Sequence, residues 1–452
     1  MPWRPFETPG KADQILKPRR AEVAAGARQR RAALTIFLLA FSLIYLARIE
    51  AVRFWILWVV SPAILGIALF LFSRRPFRIP GELVLYIVFV LWCSIGIVTR
   101  IDLAAFMRTY GLLIKVTSLL FIMVFFTRRS RSMTSGFLGV LIASALNAFH
   151  AVFLPDALLV AEAEERYRAM GLTSNPNTLG YFALIGLMAV AYFWGSTKTL
   201  SSRLFLLGSA GLLVSALVAS ASRKSFVALI ITIVAWLWLC YRKELARRKW
   251  LMLPICGFLF ALYFSTTWIV QTTYLGKRIE RLDSSEAAIQ ETRTQLAVEA
   301  VEVAAKAPVF GVGLGQFRYY SRFGLYAHAD VFEVLATTGF VGAIIYIAVY
   351  VTLWRRIRGL APLARERVLA YRLNMLSVMM VGNIVVSFGR PHFYDQFAAI
   401  MLGLILGTAL VAADGMFPSR VGARRKARRM KVFEISTAPR AVSENGQHQS
   451  ES

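Results

Sequence analysis

PVFGVGLGQFRYYSRFGLYAHADVFEVLATTGFVG, residues 308–342, is the one long segment of this 452-residue chain that is neither a greasy run nor a basic tail. It holds Gly311, Gly313 and Gly315 at alternate positions, a Tyr/Phe/Arg cluster, and His328 two residues before Asp330. It then runs into an apolar helix. The chain as a whole is 57% hydrophobic and 17% charged, with mean hydropathy +0.58. A soluble domain carries about 25% charge. Apolar runs of roughly 17–22 residues, punctuated by arginine clusters, predict an all-α polytopic membrane protein. The alternating strands of an outer-membrane barrel are absent from the pattern. The scaffold of spans is expected to hold the quoted stretch at a membrane surface.

Working outward, about 12 transmembrane helices are expected. They fall near residues 33–46, 54–72, 82–98, 110–126, 135–154, 178–194, 204–221, 226–240, 251–270, 331–354, 373–388 and 396–412. The bundle thus occupies 33–412, between basic cytoplasmic tails at 1–32 and 413–452. Both tails are low in apolar content and need no fold. A short amphipathic exterior piece is expected at 99–109. A large exterior loop, 271–330, lies between spans nine and ten. Within it a short helix is expected over 285–306, with Ser284 or Ser285 as N-cap and Pro308 beyond its end.

The net charge of +27 sits mostly in short clusters beside apolar runs, as the positive-inside rule produces. Segments assigned inside hold 35 Lys/Arg and those outside hold 16, with Lys115 inside a span. Both termini are therefore expected in the cytoplasm. Part of this charge is expected to meet anionic membrane lipids, and no nucleic acid is expected as partner. Cys93, Cys240 and Cys256 lie within spans or at their ends, so no disulfide framework is expected. The N-terminus lacks a signal-peptide pattern.

The segments assigned outside collect cations from five regions. They are Arg168 after span five, Arg223 and Lys224 between spans seven and eight, Arg293 in the loop helix, Arg318 and Arg322 in the quoted stretch, and Arg390 before span twelve. A guanidinium is permanently charged and presents a planar fork to phosphate oxygens. Such a set suits an enzyme that handles a lipid-linked pyrophosphate, although single arginines also anchor to headgroups or pair with loop acids. His328 could take a proton from an attacking hydroxyl, since an unperturbed imidazole titrates near 6.5. His392 is a second candidate, and His150 reads as a packed or interfacial residue. GVGLG has no flanking βαβ pattern and no Gly-Lys-Ser/Thr ending, so the glycines read as a tight turn rather than a nucleotide fingerprint. No His/Cys/Asp/Glu cluster has metal-ligand spacing, and no metal or other cofactor is expected.

Four elements together resemble the O-antigen ligase and polymerase superfamily of bacterial membrane glycosyltransferases. RAMGLTSNPN (168–177) resembles its R-x-x-G…N-P-N segment, ending here at Asn177. SASRKS (220–225) resembles its S-x-S-R-x-x turn. The loop helix with Arg293, followed by PVFGVGLGQF, resembles its R…P-x-x-G-x-G segment. HADVFEVLATTGFVG (328–342) resembles its H-N-x-x-L-E…G-x-x-G segment, but with Ala329 in place of the Asn. The likeness covers roughly 167–350.

The resemblance implies an inverting, metal-independent glycan transfer on the periplasmic side of the bacterial inner membrane, with undecaprenyl pyrophosphate carrying the donor. Arg223 and Arg293 would hold the pyrophosphate, and His328 would act as base, alone or with Asp330. Arg168, Asn177, Lys224, Arg318, Arg322, Asp330, Arg390 and His392 would line the substrate. An acceptor on lipid A core makes the protein an O-antigen ligase, and a second lipid-linked glycan makes it a polymerase. A protein hydroxyl would make it an O-oligosaccharyltransferase. A transporter of the same lipid-linked glycan is the rival class. It requires ionisable residues deep in the spans, where the sequence offers chiefly Lys115.

Overall fold

The computed structural model describes residues 79–154, 168–173, 175–247, 286–389 and 391–417, with isolated positions between 27 and 39. The spans expected at 54–72 and 251–270, most of 33–46, most of both tails, Cys256 and Arg390 lie outside the described residues.

Ten α-helices are described: α1 Gly81–Ile95, α2 Leu103–Ser130, α3 Ser135–Phe153, α4 Pro176–Trp194, α5 Leu200–Ala219, α6 Arg223–Arg247, α7 Glu286–Lys306, α8 Asp330–Leu360, α9 Arg367–Ser387 and α10 Gln396–Met416. Eight are long and apolar enough to cross a membrane, and α1 is shorter at 15 residues. These nine coincide with nine of the expected spans. No strand occurs among the described residues. The protein is thus an all-helical, polytopic membrane protein.

α10 is the enclosed centre, with 89% of its apolar window buried. It packs on α2, where Gly403 faces Met123 and Leu120 while Gly407 faces Thr127. Small residues let backbones approach closely, and in lipid this packing is a main source of helix association. α3, α4 and α5 form one side. α9 lies on α6, and α8 on α1 and α7. α7 is the helix expected in the large loop, described over Glu286–Lys306 and ending before Pro308 as expected.

Two elements differ from the sequence reading. The expected surface piece 99–109 does not stand apart: Leu103–Ser130 is one helix. Asp102 is its N-cap, accepting from the Ala105 N–H at 3.1 Å, so the polar first turn joins the apolar run without a break. The span expected at 331–354 instead starts at Asp330, continues to Leu360, and is interrupted at Gly339, whose φ of 71° is left-handed.

The GVGLG turn fills that interruption. Val312 N–H donates to Ala336 O and Gly313 N–H to Thr337 O, both at 3.0 Å, while Phe340 N–H donates to Pro308 O at 2.8 Å. Trp92 Nε1–H takes Thr338 O at 3.0 Å. A break in a membrane helix is tolerable when protein groups satisfy the released backbone. Gly311 has a φ of 67°, and a Cβ there would meet Thr337 C and Thr338 N at 2.5 Å. The alternating glycines therefore shape a turn against α8, as their spacing suggested.

Gln316 ties the same loop to α2. It is fully buried, its Oε1 accepts from Ile101 and Asp102 N–H, and its Nε2 donates to Asp102 O. A second small core joins α7 to the loop and to the first half of α8. It contains Leu296, Ala300, Val303, Val312, Phe317, Ala327 and Ala336. The loop is consequently a packed layer over one end of the bundle.

Candidate active site

At this end the segments assigned outside are bonded to one another. Arg168 donates through Nε to Ser220 O at 3.1 Å and through a terminal nitrogen to Asn177 Oδ1 at 3.2 Å. Ala169 N–H donates to Ala219 O, and Leu172 N–H to Asn147 Oδ1. The 168–173 strip is thereby fastened to the α5–α6 turn and to α3. Gly180 on α4 leaves room for Ser222, since a Cβ there would lie 2.6 Å from the serine Cβ. The local sequence explains the start of α4: Asn175 caps it by accepting from Asn177 N–H at 2.8 Å, and Pro176 occupies the first helical position.

The α5–α6 turn is tight. Ala221 takes a left-handed φ of 47°, and Ser222 and Ser225 share a hydroxyl bond at 3.0 Å. Arg223 and Lys224 open α6 and are half-buried. Their charges add to the positive end of the helix dipole, a combination that favours an anion. Lys224 Nζ also donates to Gly389 O at 3.2 Å, which fastens the α9–α10 loop to α6. α4, α8 and α10 begin at this end as well.

His328 is half-buried and holds a left-handed φ of 57°, an uncommon conformation for a non-glycine residue. Its ring packs on Tyr326 with centroids 3.9 Å apart. Burial lowers its pKa from the ordinary value, and the charges of Arg293 and Lys224 lower it further. Two elements distant in sequence thus act on one imidazole. The combined effect keeps the ring neutral and able to accept a proton at neutral pH.

The two residues after His328 are packed into the fold. Ala329 is the N-cap of α8 but has no side chain with which to cap it. Asp330 is buried, and the N–H groups of His392 and Phe393 both donate to its Oδ1, while Tyr346 OH donates to its Oδ2 at 2.6 Å. Both carboxylate oxygens are therefore engaged inside the fold, which makes Asp330 a clamp between α8 and the 389–395 loop rather than a group directed at substrate. His392 is buried, with its ring beside Tyr181. Arg318 is held by Asp102 at 3.7 Å and lies over the Tyr319 ring. Arg322, 83% exposed, pairs with Glu299 at 3.4 Å on the rim.

Glu333 was not singled out in the sequence. It is buried, and its Oε2 accepts from Ala327 N–H at 2.7 Å, directly before His328. An acid in the first turn of an otherwise apolar helix was the available signal. Tyr326 and Gln316 carried none.

A family model described as O-antigen ligase matches residues 208–347. The match takes in Arg223, Arg293 and His328, and it supports the O-antigen ligase and polymerase superfamily, whose members are glycosyltransferase-like enzymes. It leaves 168–177 outside. No curated protein matches the chain. A solved structure from work on "Structural coordination of polymerization and crosslinking by a peptidoglycan synthase complex" is similar over 74% of this chain and 96% of that one, at 16% identity and a TM-score of 0.39. A likeness that slight carries no argument.

Proposed function

We propose that this chain transfers a glycan from an undecaprenyl-pyrophosphate donor to an acceptor hydroxyl at the periplasmic face of the inner membrane, as an O-antigen ligase acting on lipid A core. The observation that carries the reading is the ligase-family match over the segment that holds Lys224, Arg293 and His328, where both cations lower the His328 pKa.

In this reading Arg223, Lys224 and Arg293 attract the pyrophosphate and stabilise its charge as it leaves. The acceptor oxygen attacks the anomeric carbon from the face opposite the pyrophosphate. The new C–O bond forms as the anomeric C–O bond breaks, and the electron pair of that bond stays on the phosphate oxygen. The acceptor proton passes to the neutral His328 imidazole. A single displacement of this kind inverts the anomeric centre. The guanidinium and ammonium groups provide the countercharge, so transfer is expected to persist in a chelator.

Purified protein, given a defined lipid-linked donor, tests the reading. Transfer to core lipid supports the ligase. Transfer to a second donor molecule instead makes the protein a polymerase by the same chemistry. No transfer to either acceptor contradicts the proposal.

A further inference from the structure

Beside Tyr326, whose ring packs on His328, lies a cavity of about 230 Å³ that the transfer mechanism above does not use. Arg108, Arg318, Tyr326, Glu333 and Tyr394 line it. It is smaller than the roughly 300–1,000 Å³ pockets that enclose drug-sized ligands, and it suits a single ring. Its chemistry is mixed in a specific way. Two guanidinium groups donate and one carboxylate accepts, while two phenol rings offer apolar faces with a polar edge. A sugar ring presents the matching pattern, with hydroxyls around its edge and C–H groups on its faces.

The walls connect to the imidazole. Tyr326 packs on the His328 ring at 3.9 Å. Glu333 spends Oε2 on Ala327 N–H, the residue before His328, while its side chain lines the cavity. Arg108 is exposed in the first turns of α2, and Arg318 is steadied by Asp102. Arg223, Lys224 and Arg293, assigned above to the pyrophosphate, are not among the lining residues. His328 is linked to the cavity through the Tyr326 ring, and to Lys224 and Arg293 through their charges.

We propose that this cavity is the acceptor subsite: it binds one sugar ring of the acceptor, with Glu333 and Arg108 engaging its hydroxyls, and so presents a neighbouring hydroxyl to His328. The assignment rests on the transfer reading for its role, but the binding of a sugar does not.

The full chain in detergent, with no lipid-linked donor present, is probed by saturation-transfer NMR with methyl glycosides of glucose, galactose, mannose and N-acetylglucosamine. At least one should receive saturation. Arg108→Ala, at an exposed position, and Glu333→Gln, which keeps an oxygen for Ala327 N–H, should each weaken that binding by about tenfold, the loss expected for a hydrogen bond to a charged group. In the transfer assay both should raise KM for the acceptor and leave KM for the donor unchanged. Absence of saturation for every glycoside, or unchanged binding in both variants, overturns the subsite. Sugar binding that responds to the variants in a protein without transfer activity would retain the subsite and reject the transfer reading.

Discussion

Glu333 Oε2 accepts a hydrogen bond from the Ala327 backbone N–H at 2.7 Å, so the first turn of α8 reaches back and fixes the residue before His328. The histidine is held at a left-handed φ between this bond and the α8 N-terminus. Its direction is set by the backbone, and its proton affinity by burial and by cations from two other elements.

Replacing the imidazole while keeping the backbone isolates its chemistry. Asn is enriched in left-handed conformations. His328→Asn should fold with an unchanged thermal midpoint and lose about 10²–10⁴ in transfer rate, the range for a positioned general base. Transfer rates of purified wild type and variant, with thermal unfolding in the same detergent, check this. Retention of most of the rate would remove His328 from the chemistry.

The pH dependence has a definite sign. A lowered His328 pKa means that the active, neutral form persists below the ordinary 6.5. Activity should fall only as pH drops through that lowered value, giving an acid limb under 6.5. Lys224→Met removes one of the charges that lowers it, so the limb should move to higher pH. Profiles of kcat/KM against pH for both proteins measure the shift.

Asp330 tests the clamp. Asp330→Ala leaves two buried backbone N–H groups without their acceptor, while the Tyr346 hydroxyl keeps its bond to Tyr350 at 3.0 Å. Each orphaned buried group costs about 1–3 kcal/mol. The variant should unfold at a clearly lower temperature, with a loss of at least about 2 kcal/mol by the same reckoning. An unchanged midpoint would show that the 389–395 loop is held by other means.

The uncapped start of α8 offers the opposite test. Ala329 has an extended backbone suited to a cap and no side chain to supply one. Ala329→Ser adds a single oxygen and should stabilise by about 0.5–2 kcal/mol, the usual worth of an N-cap. Equilibrium unfolding in denaturant measures it.

The spans were legible because lipid demands long apolar helices, and nine of the expected ones are helices here. The helix 286–306 was legible from its Ala/Glu/Gln composition and the proline beyond it. Two features were not. The break at Gly339 depends on partners 27 and 26 residues upstream, Val312 and Gly313, that restore the hydrogen bonds around it, and no local pattern records such a pairing. The continuity of α2 depends on Asp102, fixed by Gln316 more than 200 residues later. The site was partly legible: charge type and loop order picked out His328, Arg293 and Lys224, and the last two are cations that lower the His328 pKa. Asp330, Arg168 and Arg318 were picked out by the same reasoning, but their hydrogen bonds and ion pairs are made within the fold. Residue type marks a charge without revealing its partner.

The central claim is that Arg223 and Arg293 stabilise a departing pyrophosphate. Its most direct test is transfer by the Arg223→Ala/Arg293→Ala protein, reconstituted with a defined undecaprenyl-pyrophosphate-linked donor and compared with wild type and with the two Arg→Lys variants. The double alanine variant should show no detectable transfer at wild-type membrane insertion, and each lysine variant should be impaired because a point charge lacks the guanidinium fork. Full activity in the double alanine variant would contradict the claim.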